Sequence, residues 1–146
     1  KGENDGVQVD CNVMAGSGLV GRVVSTGPNY SKVSAIISDT QNVSATVLAT
    51  SMNMIVSGDL QSVMSDGTIR FEQLSDAEGE VTVGDKVVTS SISDKYLPGL
   101  LIGYISSINT SPNNLTKSGY ITPAVDFSHL EEVLVVMDLK QQTEEE

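Results

Sequence analysis

The chain has 146 residues, of which 39% are hydrophobic and none is tryptophan, and it sets 19 acidic residues against 8 basic ones for a formal charge of -11. So acidic a surface repels phosphate, which argues against nucleic acid and anionic membranes as partners and is read most plainly as solubility. A chain of this size buries roughly 70% of its unfolded surface and half of it only about 60%, so two small lobes would need each other, or a partner.

Valine, isoleucine, serine and threonine are plentiful, and β-branched side chains suit a pleated strand better than a helix. No run of eighteen apolar residues and no signal peptide is visible. The chain begins at Lys1 without methionine, which reads as a fragment separated from a possible anchor. Cys11 is the single cysteine, so an intrachain disulfide is excluded. It alternates with Val7, Val9 and Val13 and reads as a buried structural thiol.

The dominant period is two. Val7, Val9, Cys11 and Val13 are expected on one strand face, then Val33, Ala35 and Ile37, then Val43, Ala45 and Val47, then Ile69 and Phe71 alternating with Arg70 and Glu72. Leu100 to Ile108 and Val133 to Leu139 are more continuously apolar, as strands covered on both sides would be. Turn chemistry separates these runs: Gly27-Pro28-Asn29, Ser57-Gly58-Asp59, Ser65-Asp66-Gly67, Gly84-Asp85 and Ser111-Pro112-Asn113-Asn114. Short strands with turns roughly every ten residues predict an all-β barrel or sandwich. One helical turn is predicted near Asp126 to Glu132, capped by Asp126 or Ser128. Gln141 to Glu146 read as a frayed acidic tail.

The chemical motifs are weak. Gly16-Ser17-Gly18-Leu19-Val20-Gly21 matches a dinucleotide fingerprint, with Asp39 downstream, but Arg22-Val23-Val24-Ser25-Thr26 after it is β-branched and stops at Gly27-Pro28. A strand offers no helix N-terminus to pyrophosphate, so a tight hairpin with glycines where strands crowd is the better reading. A serine triad would have to use His129, the only histidine, with Ser17, Ser90 or Ser91, and no nucleophile elbow surrounds them. Zinc lacks ligands, and Asp76, Glu78 and Glu80 lack a calcium loop. Nineteen acids do not single out a glycosidase pair. No catalytic, cofactor-binding or metal-ligating residue is assigned, and the chain is expected not to be an enzyme and to take no cofactor. Lys95 in Asp94-Lys95 suggests, as an alternative, a carrier hairpin of the lipoyl or biotinyl kind or a small-ligand adaptor, although Tyr96-Leu97-Pro98-Gly99 does not suit such a symmetric tip.

Several blocks, in order, resemble the rod shape-determining MreC family. Lys1-Gly2-Glu3-Asn4-Asp5-Gly6-Val7 is similar to its opening, and Gly18-Leu19-Val20-Gly21-Arg22-Val23 to its "GLVGxV" block. Ser31-Lys32-Val33 and Asp39 follow, then Val81-Thr82-Val83-Gly84-Asp85-Lys86-Val87-Val88-Thr89-Ser90, then Leu97-Pro98-Gly99-Leu100-Leu101-Ile102-Gly103. Pro123-Ala124-Val125-Asp126-Phe127-Ser128-His129-Leu130-Glu131-Glu132-Val133-Leu134-Val135 resembles the closing block. Ser91 departs from a usual glycine, and Tyr96 precedes Leu97 where the family's aromatic stands one position later.

The resemblance implies the extracytoplasmic β-domain of a protein anchored by one membrane helix that lies outside this chain. The implied fold is two small β-barrels, one inserted in the other, with at most one or two short helical turns. Residues 1–42 with 90–140 would form the first barrel, lacking an early strand and so open at an edge, residues 43–89 the second, and 141–146 a disordered tail. The implied function is a non-enzymatic scaffold of cell-wall elongation. Its implied partners are MreD, a penicillin-binding transpeptidase with its glycan polymerase, and further copies of itself. Leu19, Val20, Tyr96, Leu97, Leu100 and Leu101, beside Pro98, are the candidate protein contacts, against the plainer reading that both sets are core and turn scaffolding.

Overall fold

Alternation of apolar and polar residues builds most of the strands. A computed structural model describes residues 1–16, 18–37, 42–58, 67–75, 79–93, 95–110, 116–127 and 133–137. Among the described residues, ten strands follow a 3-10 turn at Glu3–Asp5: β1 (Asn12–Ala15), β2 (Gly18–Thr26), β3 (Ser31–Ala35), β4 (Asn42–Val47), β5 (Asn53–Ser57), β6 (Ile69–Leu74), β7 (Lys86–Thr89), β8 (Leu101–Thr110), β9 (Lys117–Pro123) and β10 (Leu134–Val136). The all-β class with little helix is therefore what the structure shows.

Six strands close a ring, β8-β7-β4-β5-β6-β9, sealed by antiparallel pairing of β8 with β9 from Gly103↔Pro123 to Thr110↔Lys117. The ring draws strands from both units that the sequence suggests, β4 to β7 essentially from 43–89 and β8 and β9 from 90–140. Its inner rows follow the pairing register: Val43, Val56, Phe71, Gly119 and Ile108 face one another around one layer, and Ile69, Ile121 and Ile105 around another. Val43, Ala45, Val47, Ile69 and Phe71 are all buried, as their alternation predicts. Register shifts between Phe71 and Leu74, Val87 and Val88, and Ile105 and Ser107 supply the local twist that closing so small a ring requires.

The remaining strands form an antiparallel sheet in the order β10-β1-β2-β3, joined to the ring by one parallel bridge, Gly18↔Leu101. Ala15 pairs with Gly18, so β1 and β2 make the tight hairpin expected of the glycine-rich motif. A Cβ at Gly18 would meet Val125, and one at Gly21 would strike the Ser34 carbonyl. Val7, Cys11, Val13, Val20, Val23 and Val125 form a small second core on this sheet.

Four expectations are corrected. Residues 7–11 are not a strand: Asp10 adopts φ 76°, which breaks the extended alternation and leaves Val9 46% exposed while Val7 and Cys11 are buried. In β3, Val33 is exposed and Ile36, one step beyond the strand, takes the core position, its amide donating to the Val20 carbonyl. Val81 and Val83 form no strand before Gly84; Thr82 to Asp85 make a turn closed by the Asp85 carboxylate, and Val83 is exposed. Val133 to Met137 are not covered on both sides, since Val133, Leu134 and Met137 are all exposed. The predicted helical turn from Ser128 onward, His129, Ser17, Asp39, Asp94 and the acidic tail lie outside the described residues.

Candidate contact surface at the junction of sheet and barrel

The connection from β7 to β8, described at residues 91–93 and 95–100, is held by backbone bonds from Gly99 to the Thr89 carbonyl and from Thr89 to the Leu100 carbonyl, and by side chains besides. Thr89, at the end of β7, donates from Oγ1 to the Leu97 carbonyl at 2.6 Å and accepts from the Leu100 amide at 2.8 Å. From the other side, buried Asn12 on β1 donates from Nδ2 to the carbonyls of Lys95 (3.0 Å) and Asp10 (3.3 Å) and accepts the Leu97 amide on Oδ1 at 2.9 Å. Leu97 is thus clamped between a barrel strand and a sheet strand. A buried amide with all of these bonds made is stabilising, and losing it would strand the loop backbone groups it serves.

Charge completes the junction. Arg22 Nη1 donates to Asp10 Oδ1 at 2.7 Å and Lys95 Nζ to Asp10 Oδ2 at 3.2 Å, so one carboxylate ties β2 to the β7–β8 connection. The left-handed backbone at Asp10 turns that carboxylate toward both cations. Tyr96 plugs the space beneath, only 2% exposed, and its hydroxyl has no hydrogen-bond partner among the described residues. Burial pushes the phenol up to about 12; the nearby Arg22 works against that rise, and Asp10 adds to it.

The six candidate contact residues form no open patch. Leu19 and Tyr96 are buried in the barrel-side core, with Leu100 packed against it, and Val20 is buried in the second core. Leu97, Leu100 and Leu101 are half-buried. Asn12 and Asp10 were not singled out from the sequence; the signal available was an asparagine inside the apolar run Cys11-Asn12-Val13. Among the described residues, exposed Ile92 (69%) lies on this segment, whereas Tyr30 after β2, Leu48 and Val83 at one end of the barrel, and Val133, Leu134 and Met137 around β10 lie elsewhere.

Nothing described here assembles catalytic chemistry. Ser90 is buried, its amide donating to the Ser44 carbonyl and its hydroxyl accepting from the Ile92 amide. An open cleft of about 330 Å³ between Gly67 and the segment Thr122–Phe127 contains one ionisable side chain, Asp126. No group of three His, Cys, Asp or Glu is placed to hold a metal among the described residues. Lys95 is engaged by Asp10 and is not presented on a symmetric hairpin tip.

Residues 1–137 match the family model for rod shape-determining protein MreC, barrel core. The cell shape-determining protein MreC of Listeria monocytogenes is 30% identical over 137 residues, covering 93% of this chain and 46% of that protein. That of Haemophilus influenzae is 25% identical over 118 residues, covering 78% and 31%. The chain thus spans less than half the length of these relatives. Among solved structures, MreC from Listeria monocytogenes superposes with a TM-score of 0.82 at 30% identity, over 99% of this chain and 69% of that one. A Helicobacter pylori complex between a penicillin-binding protein, PBP2, and MreC matches with a TM-score of 0.58 at 14% identity, over 78% of this chain and 70% of that one, which supports the fold alone. The match of residues 1–137 to that barrel-core model places the chain in the rod shape-determining protein MreC family.

Proposed function

We propose that this domain is a non-enzymatic scaffold of cell-wall elongation, working by contact on the outer side of the cytoplasmic membrane and anchored there by a segment outside this chain. Its partners in this reading are a penicillin-binding transpeptidase with its glycan polymerase, the membrane protein MreD, and further copies of itself. The observation that carries the reading is the match of nearly the whole chain to MreC domains, one of which was solved with a penicillin-binding protein. A closed ring packed with aliphatic side chains is a rigid body suited to presenting surface.

Contact is proposed at the junction, through the half-buried Leu97, Leu100 and Leu101 together with exposed Ile92. Self-association has a separate route in the outer edges of β3 and β10, each paired on one side only among the described residues. The test uses the full-length protein in its own rod-shaped cell. Ile92→Asp, at an exposed position, is expected to cause loss of rod shape at unchanged protein level. Rods of normal width with Ile92→Asp and with Leu101→Asp would remove the junction as the contact.

A further inference from the structure

The negative charge of this domain is unevenly spread. No aspartate or glutamate occurs between Asp94 and Asp126, the stretch that holds β8 and β9, although the chain carries 19 acidic residues. The pairing register sorts these two strands by face. Ile105↔Ile121 and Ile108↔Gly119 point into the ring, so Tyr104↔Thr122 and Ser107↔Tyr120 point out of it. Ser106, the extra residue at the register shift, is exposed and donates its hydroxyl to the Tyr120 carbonyl at 3.1 Å. The outward positions from Tyr104 to Asn109 and from Ser118 to Thr122 are phenols, hydroxyls and one amide. Tyr104 stands directly opposite Lys86 on β7, and Tyr120 directly opposite Arg70 on β6, so a cation flanks each phenol. Both cations are exposed and form no ion pair among the described residues, while the neighbouring Asp85 and Glu72 carboxylates accept from Thr82 and Ser57.

We propose that the outer face of β8 and β9 binds a glycan strand that carries carboxylates, with the Tyr104 and Tyr120 rings as stacking platforms and Lys86 and Arg70 as charge contacts at either flank. A pyranose ring presents C–H groups on its face and hydroxyls around its rim, which suits a phenol set among serine and threonine hydroxyls. Tyr104 and Tyr120 are diagonal neighbours on adjacent strands, with Cα atoms about 7–8 Å apart, so one glycan strand spans both rings. A protein partner would bury aliphatic side chains at its centre, and this face offers none. The net charge of -11 repels an acidic polymer from the domain as a whole, and the acid-free hairpin with its two flanking cations is where that repulsion is relieved. The assignment of the strand to the cell wall rests on the scaffold reading; the chemistry of the face does not.

Amide chemical shifts of the domain, followed during titration with soluble glycan strands released from the organism's own cell wall with their peptide carboxylates intact, test this. Saturable shifts centred on Tyr104, Ser106, Tyr120 and Thr122 are expected. Tyr104→Ser and Tyr120→Ser are each expected to weaken binding about tenfold, with the amide shifts of Val56 and Phe71 in the ring reporting that the variants are folded. The same strands with their carboxylates amidated are expected to bind at least threefold more weakly, and Lys86→Gln combined with Arg70→Gln to abolish that difference. Shifts centred elsewhere, equal affinity in wild type and both tyrosine variants, or no binding at millimolar sugar would overturn the site. Equal affinity of wild type for native and amidated strands would overturn its preference for an acidic glycan. Titration of the same variants with the ectodomain of the organism's elongation transpeptidase separates this proposal from the scaffold reading. Unchanged transpeptidase affinity in Tyr104→Ser is expected, and its loss would make this face a protein contact instead. Transpeptidase binding without glycan binding would overturn the glycan site and leave the scaffold reading standing.

Discussion

Phe71 on β6 and Gly119 on β9 face each other directly inside the ring, and a Cβ placed on Gly119 would stand 3.0 Å from the Phe71 ring and strike the Ser107 carbonyl. The glycine makes room for the largest fully buried side chain among the described residues and for the close approach of β8 to β9. The closed barrel depends on this exchange of volume between neighbouring strands.

Gly119→Ala is therefore expected to destabilise the domain by about 1–3 kcal/mol through overpacking, and Phe71→Ala by about 3–5 kcal/mol through the cavity it leaves. Urea denaturation monitored by far-ultraviolet dichroism checks both. A Gly119→Ala midpoint equal to that of wild type would show that the strands can part without cost.

Tyr96→Phe is expected to be neutral or stabilising by about 1 kcal/mol, unlike most core changes, because the hydroxyl it removes is buried without a partner. A loss of more than about 1 kcal/mol would mean that the phenol makes a bond that the structure does not contain.

The same residue predicts an alkaline limb. The phenol ionises near 10.0 in the unfolded chain and at about 12 when folded. Below pH 10 both states are protonated and nothing changes. Between pH 10 and 12 the unfolded state releases its proton first, so stability falls, by about 2–3 kcal/mol in total. Stability curves of wild type and Tyr96→Phe should converge below pH 10 in slope and diverge above it, with the variant flatter; parallel curves to pH 12 would contradict the burial.

Asn12→Ala removes three hydrogen bonds around Leu97 and is expected to cost about 2–3 kcal/mol. Asp10→Asn keeps a side chain that tolerates the left-handed backbone but loses both ion pairs. With Asp10 and Lys95 partly solvated, its cost is about 1 kcal/mol or less at low ionic strength and is expected to fade as salt is added. An Asp10→Asn effect unchanged by 1 M salt would point to packing instead of charge.

The ring was legible wherever a strand has one wet and one dry face, as in Val43, Ala45 and Val47 or Ile69 and Phe71. Legibility failed where that condition failed. Asp10 turns the backbone left-handed, so Val9 leaves the face its spacing predicts. β3 and β10 are edge strands, and apolar runs such as Val133 to Met137 look buried in sequence although the strand is covered on one side only. Of the candidate contacts, Leu19 and Tyr96 are buried in the barrel-side core and Leu97, Leu100 and Leu101 are half-buried. The sequence could not say which of them were covered, because the Asn12 and Asp10 fastenings join residues more than eighty positions apart.

The most direct test of the scaffold reading is calorimetric titration of this domain with the soluble ectodomain of its organism's elongation transpeptidase, alongside Ile92→Asp and Leu134→Asp. Saturable binding, weakened at least tenfold by Ile92→Asp and unaffected by Leu134→Asp on β10, is the expected result. No heat of binding at high micromolar concentration, with all three proteins folded, would contradict the claim that this domain carries the transpeptidase contact.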